Sequence, residues 1–267
     1  MKTRIITGVI AAAIFLPMVW YGSWLLVLGT CILGLIAMSE FFMMKQKNFF
    51  SLMGLIASTT TIFLMVPAEP YLTFLPNGIT TLHLFYLGAM LMLVMTVLSK
   101  NEFTFDDAGV FMLASLYVGR GFHYFLMTAD MGFFTVMFVL FIIWSTDIGA
   151  YLLGMKFGKT KLAPVISPNK SIEGAIGGVC LAVAVSLIYV KFYNKMDLSI
   201  LLLIVLTILL SAAGQLGDLT ESAFKRYFGV KDSGKILPGH GGILDRFDSL
   251  LFVMPLFQIF LSIYQHN

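Results

Sequence analysis

Apolar stretches long enough to cross a lipid bilayer recur along this chain and limit what it can fold into. A spanning helix needs about 20 mostly apolar residues, and about nine stretches approach or reach that length: 5–20, 24–43, 50–66, 82–98, 108–128, 133–155, 172–193, 198–220 and 249–264. Hydrophobic residues make up 59% of the chain and charged residues 12%, which is too little polar surface to cover a soluble domain. Because lipid offers the backbone no hydrogen bonds, spans of this kind are helices. The sequence predicts an all-α polytopic membrane protein.

The first stretch follows Lys2 and Arg4, as the apolar core of a signal peptide would. No small-residue cleavage site stands near Gly22, however, and a second apolar run follows at once. We interpret the first stretch as a retained span. The two cysteines, Cys31 and Cys180, lie far apart in apolar sequence, which indicates neither a disulfide framework nor a zinc site.

Basic residues predict the orientation of the spans. In a nine-span arrangement most of them fall on one side, and that side is expected to be cytoplasmic: Lys2, Arg4, Lys45, Lys47, Lys100 and the groups at 156–170 and 225–246. Only Lys191 and Lys195 fall in an opposite connection. This places the amino terminus inside. We expect residues 1–107 to form a scaffold of transmembrane helices with possible oligomer contacts, and residues 108–267 to form a catalytic membrane domain with cytoplasmic loops at 156–171 and 221–248.

The second of these loops concentrates the polar residues of an otherwise apolar chain. Between Ser222 and Asp248 it contains cations, carboxylates and several glycines. That mixture suits a polyphosphate together with its metal ion. The charged members are Lys225, Arg226, Lys231, Lys235 and Arg246, with Asp232, Asp245 and Asp248.

Three carboxylates, Asp147, Asp218 and Asp245, are predicted at the cytoplasmic ends of their spans, where a charge faces a protein interior, a cavity or a metal. Asp218, Ser222 and Lys225 share a helix face at i, i+4 and i+7, and Asp245 and Asp248 share one at i and i+3. We interpret these faces as a Mg²⁺ site. The alternative is three separate helix-end charges or structural ion pairs. For Asp147 a further alternative is close helix packing through the small residues around it, Gly149, Ala150 and Gly154.

A second polar connection, residues 167–174, follows the cationic stretch Lys156, Lys159 and Lys161 and leads directly into a span. Ser167 or Asn169 is expected to cap a helix whose free N–H groups, with Lys170, bind an anion. A capped cytoplasmic loop without substrate contact is the alternative. His240, between two glycines, is assigned to phosphate contact or proton movement, with turn stabilisation equally open. Glu40 and Arg120 are expected to satisfy each other or a helix end.

The segment from Ser222 onward resembles the carboxyl-terminal signature of the phosphatidate cytidylyltransferases, also called CDP-diacylglycerol synthases. The matching positions are Ser222, Lys225, Arg226, Lys231, Asp232, Pro238, His240, Gly241, Gly242, Asp245, Arg246 and Asp248. The stretch from Asp147 to Gly154 and the loop around Lys170 also resemble elements of the family. Ser171 and Ile172 depart from it, since the family often has Thr and an aromatic residue there.

The resemblance implies a bacterial enzyme of phospholipid biosynthesis in the cytoplasmic membrane, with its active site facing the cytoplasm. It would transfer the cytidylyl group of CTP to phosphatidic acid with Mg²⁺, and a second cation is possible. The implied catalytic residues are Asp218, Asp245, Lys225, Arg246 and His240, and the metal ligands are Asp218, Asp245 and Asp248. Substrate binding would fall to Asp147, Ser167, Asn169, Lys170, Glu173, Ser222, Arg226, Lys231, Gly241 and Gly242. A homodimer is the expected assembly, without nucleic acid.

Two other functions fit some of the same residues. A CTP-dependent polyprenol or phytol kinase would use similar acids and cations but transfer the γ-phosphoryl group to a lipid alcohol. An ion-coupled transporter also places aspartates within membrane helices. The absence of inverted repeats and the concentration of charged loops on one side argue against the transporter.

Overall fold

The computed structural model describes residues 2–76, 78–193, 198–239 and 241–265, without the side chains of residues 2–5 and 265. Helices make up most of these residues. In chain order the elements are α1 (Lys2–Tyr21), α2 (Ser23–Met44), α3 (Leu52–Met65), α4 (Ala68–Tyr71), α5 (Thr81–Leu98), α6 (Phe105–Asp130), α7 (Phe133–Phe157), β1 (Lys161–Ala163), β2 (Ser167–Ser171), α8 (Ile172–Phe192), α9 (Ile200–Tyr227) and α10 (Leu244–Gln265).

Apolar helices of membrane length dominate the described residues. Seven of them are long and hydrophobic enough to cross a bilayer: α2, α5, α6, α7, α8, α9 and α10. Two shorter apolar helices lie at Ile6–Tyr21 and Leu52–Met65. Each predicted apolar stretch coincides with a helix to within two residues at the ends that extend beyond it, which confirms an all-α polytopic membrane protein. The total of nine spans and the cytoplasmic amino terminus stay predictions.

A small β-hairpin departs from the purely helical prediction. Strands β1 and β2 pair antiparallel, with Lys161 opposite Ser171 and Ala163 opposite Ser167. The hairpin lies in the predicted cytoplasmic loop 156–171. Its residues do not alternate cleanly between apolar and polar, so the period-two pattern that indicates strands is missing. Helix α8 begins directly after β2, so the hairpin fixes the direction in which the chain enters that helix.

The chain forms two compact units. Unit 1 contains residues 1–127 together with 232–246, and unit 2 contains residues 128–231 and 247–267. The predicted functional division near residue 107 is a different kind of boundary and stays a prediction.

Unit 1 is built around aromatic side chains of α2 and α6. Phe42 stacks on Phe111 with 3.7 Å between ring centroids, and Phe103 stacks with Phe111 at 6.0 Å. The buried carboxylate of Asp107, at the start of α6, forms ion pairs with Lys45 at 3.2 Å and with Lys47 at 2.9 Å. Two basic residues of the predicted cytoplasmic side thus connect the end of α2 to the start of α6.

Unit 2 is built on close contact between α7 and α8. A Cβ at Gly149 would lie 2.8 Å from the carbonyl oxygen of Gly177 and 2.9 Å from the Cα of Gly178. The helices therefore touch through their backbones, as small-residue interfaces allow in membranes. Buried hydroxyl pairs connect α9 to its neighbours, Thr146 with Ser211 at 2.8 Å and Thr207 with Ser186 at 3.0 Å.

We expect Gly149→Ala to lower the thermal stability of the purified protein, although alanine is the better helix former by about 1 kcal/mol. The new methyl group must displace backbone of α8, and overpacking of this kind costs about 1–3 kcal/mol. Thermal unfolding in detergent measures the change. Gly109→Ala is the matched control, because open space surrounds Gly109 in α6. Equal unfolding temperatures for the two variants would contradict the backbone contact.

Candidate active site

The last turns of α9 carry the central group of polar residues in unit 2. Asp218, Ser222 and Lys225 lie on one face, and the Ser222 hydroxyl lies 3.4 Å from Asp218 Oδ1. The predicted helical spacing is therefore confirmed. Lys225 forms an ion pair with Glu221, one turn earlier in the same helix. Glu221 is buried, with 2% of its surface exposed.

Lys170 connects the β-hairpin to α9. Its Nζ lies 2.5 Å from Asp218 Oδ2, and both side chains remain partly exposed. The hairpin and helix α9 thus meet in unit 2, the hairpin contributing a cation and the helix a carboxylate. A partly exposed ion pair is worth little to stability. Its significance lies in the placement of an ammonium group beside the predicted metal ligand.

Asp248 and Asp147 belong to the same neighbourhood. Asp248 lies close enough to Asp218, Asp147 and Lys225 for their charges to act on it. Three carboxylates of three different helices therefore face one region of unit 2, together with the cation of Lys225. Since like charges repel in a medium of low dielectric constant, such a group favours the binding of cations.

Two glycines of α9 allow Asp248 to approach. A Cβ at Gly217 would lie 2.7 Å from the carbonyl oxygen of Asp248, and a Cβ at Gly214 would touch Ser249 and Val253. The Ser249 hydroxyl donates to the carbonyl oxygen of Gly214 at 3.0 Å. Close packing of α10 on α9 thus places Asp248 beside Asp218.

The hairpin is held by the first turn of α8. Glu173 accepts hydrogen bonds from the backbone N–H groups of Lys159 and Thr160, each at 3.1 Å. Ser171 is the N-cap of α8 and accepts from the N–H of Gly174 at 3.1 Å. The carboxylate of Glu173 therefore supports the geometry of the loop. Its predicted contact with substrate stays a prediction.

The prediction that Ser167 or Asn169 caps a helix is wrong. Both residues lie in strand β2, and the cap falls on Ser171. The sequence signal pointed to the correct segment, since serine and asparagine both favour N-caps. It missed Ser171, because the hairpin that extends the chain to residue 171 is a tertiary feature.

Arg226 lies at the end of α9, with its side chain on backbone carbonyl groups. Its Nε donates to the carbonyl oxygen of Ile166 at 3.2 Å. Its Nη1 donates to the carbonyl oxygen of Val230, also at 3.2 Å. Arg226 thus joins the hairpin loop to the turn after α9. Lys231, the next predicted phosphate contact, is exposed.

Asp245 organises the polar segment of unit 1. Its Oδ2 accepts from the N–H of Ser233 at 2.9 Å, the hydroxyl of Ser233 at 3.0 Å and the N–H of Gly242 at 2.8 Å. Gly241 has a positive φ of 82°, and a Cβ there would overlap the carboxylate of Asp245. Gly241 and Gly242 therefore let the chain fold closely around Asp245. Arg246 follows on the exposed side.

Glu40 contacts this segment, although the sequence did not assign Glu40 to the site. It lies in α2, yet it accepts hydrogen bonds from the N–H groups of Ile243 and Leu244, at the start of α10. Of the two expectations for Glu40, the helix end is confirmed and pairing with Arg120 is wrong. Arg120 instead contacts Tyr124, over whose ring its guanidinium lies at 5.0 Å. His240 lies outside the described residues.

The carboxylates of unit 2 fit a magnesium ion chemically. Mg²⁺ prefers one or two carboxylates, with phosphate oxygens and water completing its octahedron. Asp218 and Asp248 supply the carboxylates, and Ser222 adds a hydroxyl beside them. Among the described residues, no three His, Cys, Asp or Glu side chains form a complete ligand set. A magnesium ion at these carboxylates would therefore need phosphate oxygens or water to complete its ligands.

Comparison with known proteins decides the family. The model of the cytidylyltransferase family matches residues 2–264. This chain belongs to the cytidylyltransferase family. It is 47% identical over 263 residues to a phosphatidate cytidylyltransferase of Staphylococcus epidermidis, covering 98% of this chain and 99% of the relative. The proteins of the same name from Staphylococcus aureus and Staphylococcus saprophyticus are 46% and 44% identical over the same shares.

In this cytidylyltransferase, the sequence did not single out Glu221, and for Glu40 it indicated a helix end without identifying which one. Glu221 had a detectable signal, since its spacing of four from Lys225 is that of a helical ion pair. The identity of Glu40's partners had no such signal, because Ser233 lies 193 positions away in the chain.

We expect Glu173→Gln to loosen the hairpin of this cytidylyltransferase. The amide presents a donor where the carboxylate accepted from backbone N–H groups, so trypsin should cleave after Lys159 and Lys161 about threefold faster. The appearance of the fragments on gels measures the rate. Glu102→Gln, an exposed carboxylate, is the control. Unchanged cleavage in Glu173→Gln would show that Glu173 does not hold the loop.

Proposed function

We propose that the protein transfers the cytidylyl group of CTP to phosphatidic acid, releasing pyrophosphate and forming CDP-diacylglycerol. The observation that supports this most strongly is the identity of 44–47% to phosphatidate cytidylyltransferases over almost the whole chain. The polar residues of unit 2 agree with such a reaction, because it joins two anionic substrates beside a membrane. The relatives do not favour a CTP-dependent lipid kinase or a transporter.

The reaction needs positioning and charge compensation more than a protein nucleophile. An oxygen of the lipid phosphate attacks the α-phosphorus of CTP in line with the departing pyrophosphate, and cations reduce the repulsion between the two reactants. Lys170, Lys225 and Arg226 are the phosphate contacts offered by unit 2. Lys231 and Arg246 are further contacts proposed from the family signature.

Lys170 forms an ion pair with Asp218, and Lys225 forms an ion pair with Glu221. These ion pairs hold the ammonium groups beside the proposed site before substrate arrives. A triphosphate brings more negative charge than either carboxylate, so the ammonium groups can turn to it without leaving their neighbourhood. The carboxylates then become available to a cation.

The proposed ligands of Mg²⁺ in unit 2 are Asp218 and Asp248, with Asp147 in support. Asp245 is proposed as a ligand from the family signature alone. When bound, the ion would neutralise charge on the phosphates of CTP and orient them. Asp218 and Asp248 would supply carboxylates to the ion, while Ser222 hydrogen-bonds Asp218. A second cation is compatible with the number of carboxylates.

The lipid substrate can stay in the bilayer during the reaction. Asp218 lies nine residues before the end of α9 at Tyr227, about 13 Å along the axis at 1.5 Å per residue. This depth suits a phosphate at the membrane interface. We propose that the site faces the cytoplasm, where the basic loops are expected and CTP is present. A homodimer is the proposed assembly.

Product analysis tests the reaction. Purified protein is incubated with phosphatidic acid, Mg²⁺ and CTP labelled in the α-phosphate, and both lipid and water-soluble products are identified. We expect the label in CDP-diacylglycerol and release of pyrophosphate. Release of CDP with a phosphorylated lipid would instead identify a kinase, and uptake of ions by proteoliposomes without nucleotide would identify a transporter.

We expect Asp218→Asn and Asp245→Asn each to lower kcat at least about 100-fold, because each loses a charge proposed to bind the metal. Both variants should still insert and purify. Lys191→Ala is the control, since Lys191 is exposed in the last turn of α8 and outside the proposed site. Full turnover in either aspartate variant would reject its assignment to the metal.

A further inference from the structure

Glu40 is a buried carboxylate whose hydrogen bonds run to a distant part of the chain. Only 2% of its surface is exposed. Its Oε1 accepts from the N–H of Ile243 at 2.6 Å, and its Oε2 accepts from the N–H of Leu244 at 2.9 Å and from the Ser233 hydroxyl at 2.8 Å. One side chain of α2 thus holds both ends of the segment 233–244.

Ser233 connects Glu40 to Asp245. The Ser233 hydroxyl lies within hydrogen-bond distance of both carboxylates, and its backbone N–H donates to Asp245. A hydroxyl has a single proton and can donate to only one acceptor at a time. The position of Asp245 therefore depends on how Glu40 holds Ser233.

Two glycines show how closely the segment wraps around Glu40. A Cβ at Gly234 would lie 2.7 Å from Glu40 Oε1, and a Cβ at Gly242 would overlap the same carboxylate. Gly234 does not have a positive φ, so space, rather than backbone conformation, is what excludes a side chain there. The glycines of this segment are thus matched to a carboxylate on α2.

We propose that Glu40 is a positioning residue for cytidylyl transfer, acting through Asp245 and Arg246. The proposal rests on the proposed function. Glu40 fixes the first turn of α10, and this turn presents Asp245 and Arg246. The amino-terminal helices, predicted as a scaffold, then contribute directly to the geometry of the reaction.

The main test is Glu40→Gln, with Glu102→Gln as the control. The amide keeps the shape of the side chain but presents a donor to one of the backbone N–H groups. The segment therefore loses a hydrogen bond that fixes its position against α2. We expect kcat per folded molecule to fall about tenfold or more when it is assayed at a temperature well below the unfolding temperature. Glu40→Asp, which keeps the charge, should recover part of this loss.

A second measurement follows the segment without using activity. Lys235 is exposed within it, and trypsin cleavage after Lys235 should become faster in Glu40→Gln than in Glu102→Gln. A purely structural role would lower the unfolding temperature and the yield but leave kcat per folded molecule unchanged. That outcome would overturn the proposal.

A double substitution tests the space around Gly234. Gly234→Ala should lower kcat in the wild-type background and have little further effect in Glu40→Ala, where the carboxylate that excludes the methyl group is gone. Non-additivity of this kind reports a direct contact. Additive effects of the two changes would contradict it.

Should Glu40→Gln fail to fold, Ser233→Ala removes only the hydroxyl that connects the two carboxylates. We then expect a smaller loss of kcat, about threefold to tenfold, and faster cleavage at Lys235. Wild-type values for both would overturn the proposal. Failure of the proposed function would show differently, as absence of CDP-diacylglycerol with the wild-type protein.

Discussion

A bilayer offers polar groups no hydrogen-bond partner, and the placement of charge in this protein follows from that constraint. Buried hydroxyl groups in the middle of unit 2 pair with one another, as Thr146 does with Ser211. Carboxylates are concentrated near helix ends, where they hold backbone N–H groups or lysines. Polar groups that would be costly elsewhere in the membrane thus become the means of fixing loops.

The distribution of partners separates two kinds of carboxylate. Glu173 and Glu40 accept from backbone N–H groups and hold segments of chain in place. Asp218 and Glu221 hold lysine side chains, which can exchange partners without unfolding anything. The first kind gives the loops their shape, and the second leaves charge available to a substrate. Asp245 belongs to the first kind by its contacts, and the proposed metal would add a second role to it.

The sequence predicted those features that depend on short-range order. Apolar stretches indicated the helices, and helical spacing placed Ser222 beside Asp218. The hairpin was not predicted, because its strands are short and lack alternation. The cap at Ser171 depends on that hairpin, and the contact between Glu40 and the start of α10 depends on the tertiary fold. No pattern in a single sequence indicates that a glutamate in the second helix pairs with residues near the last one.

The direct backbone contact between α7 and α8 has a consequence for how the protein responds to its surroundings. Apolar side chains gain nothing by leaving lipid for another apolar side chain, so helices in a bilayer associate through close van der Waals contact and polar groups. Gly149, Gly177 and Gly178 provide such contact with few rotatable bonds to freeze. Because no side chain separates the two backbones at these glycines, this part of the interface leaves no space for an acyl chain to enter. The spacing of α7 and α8 there is set by the protein itself, without lipid as a filler.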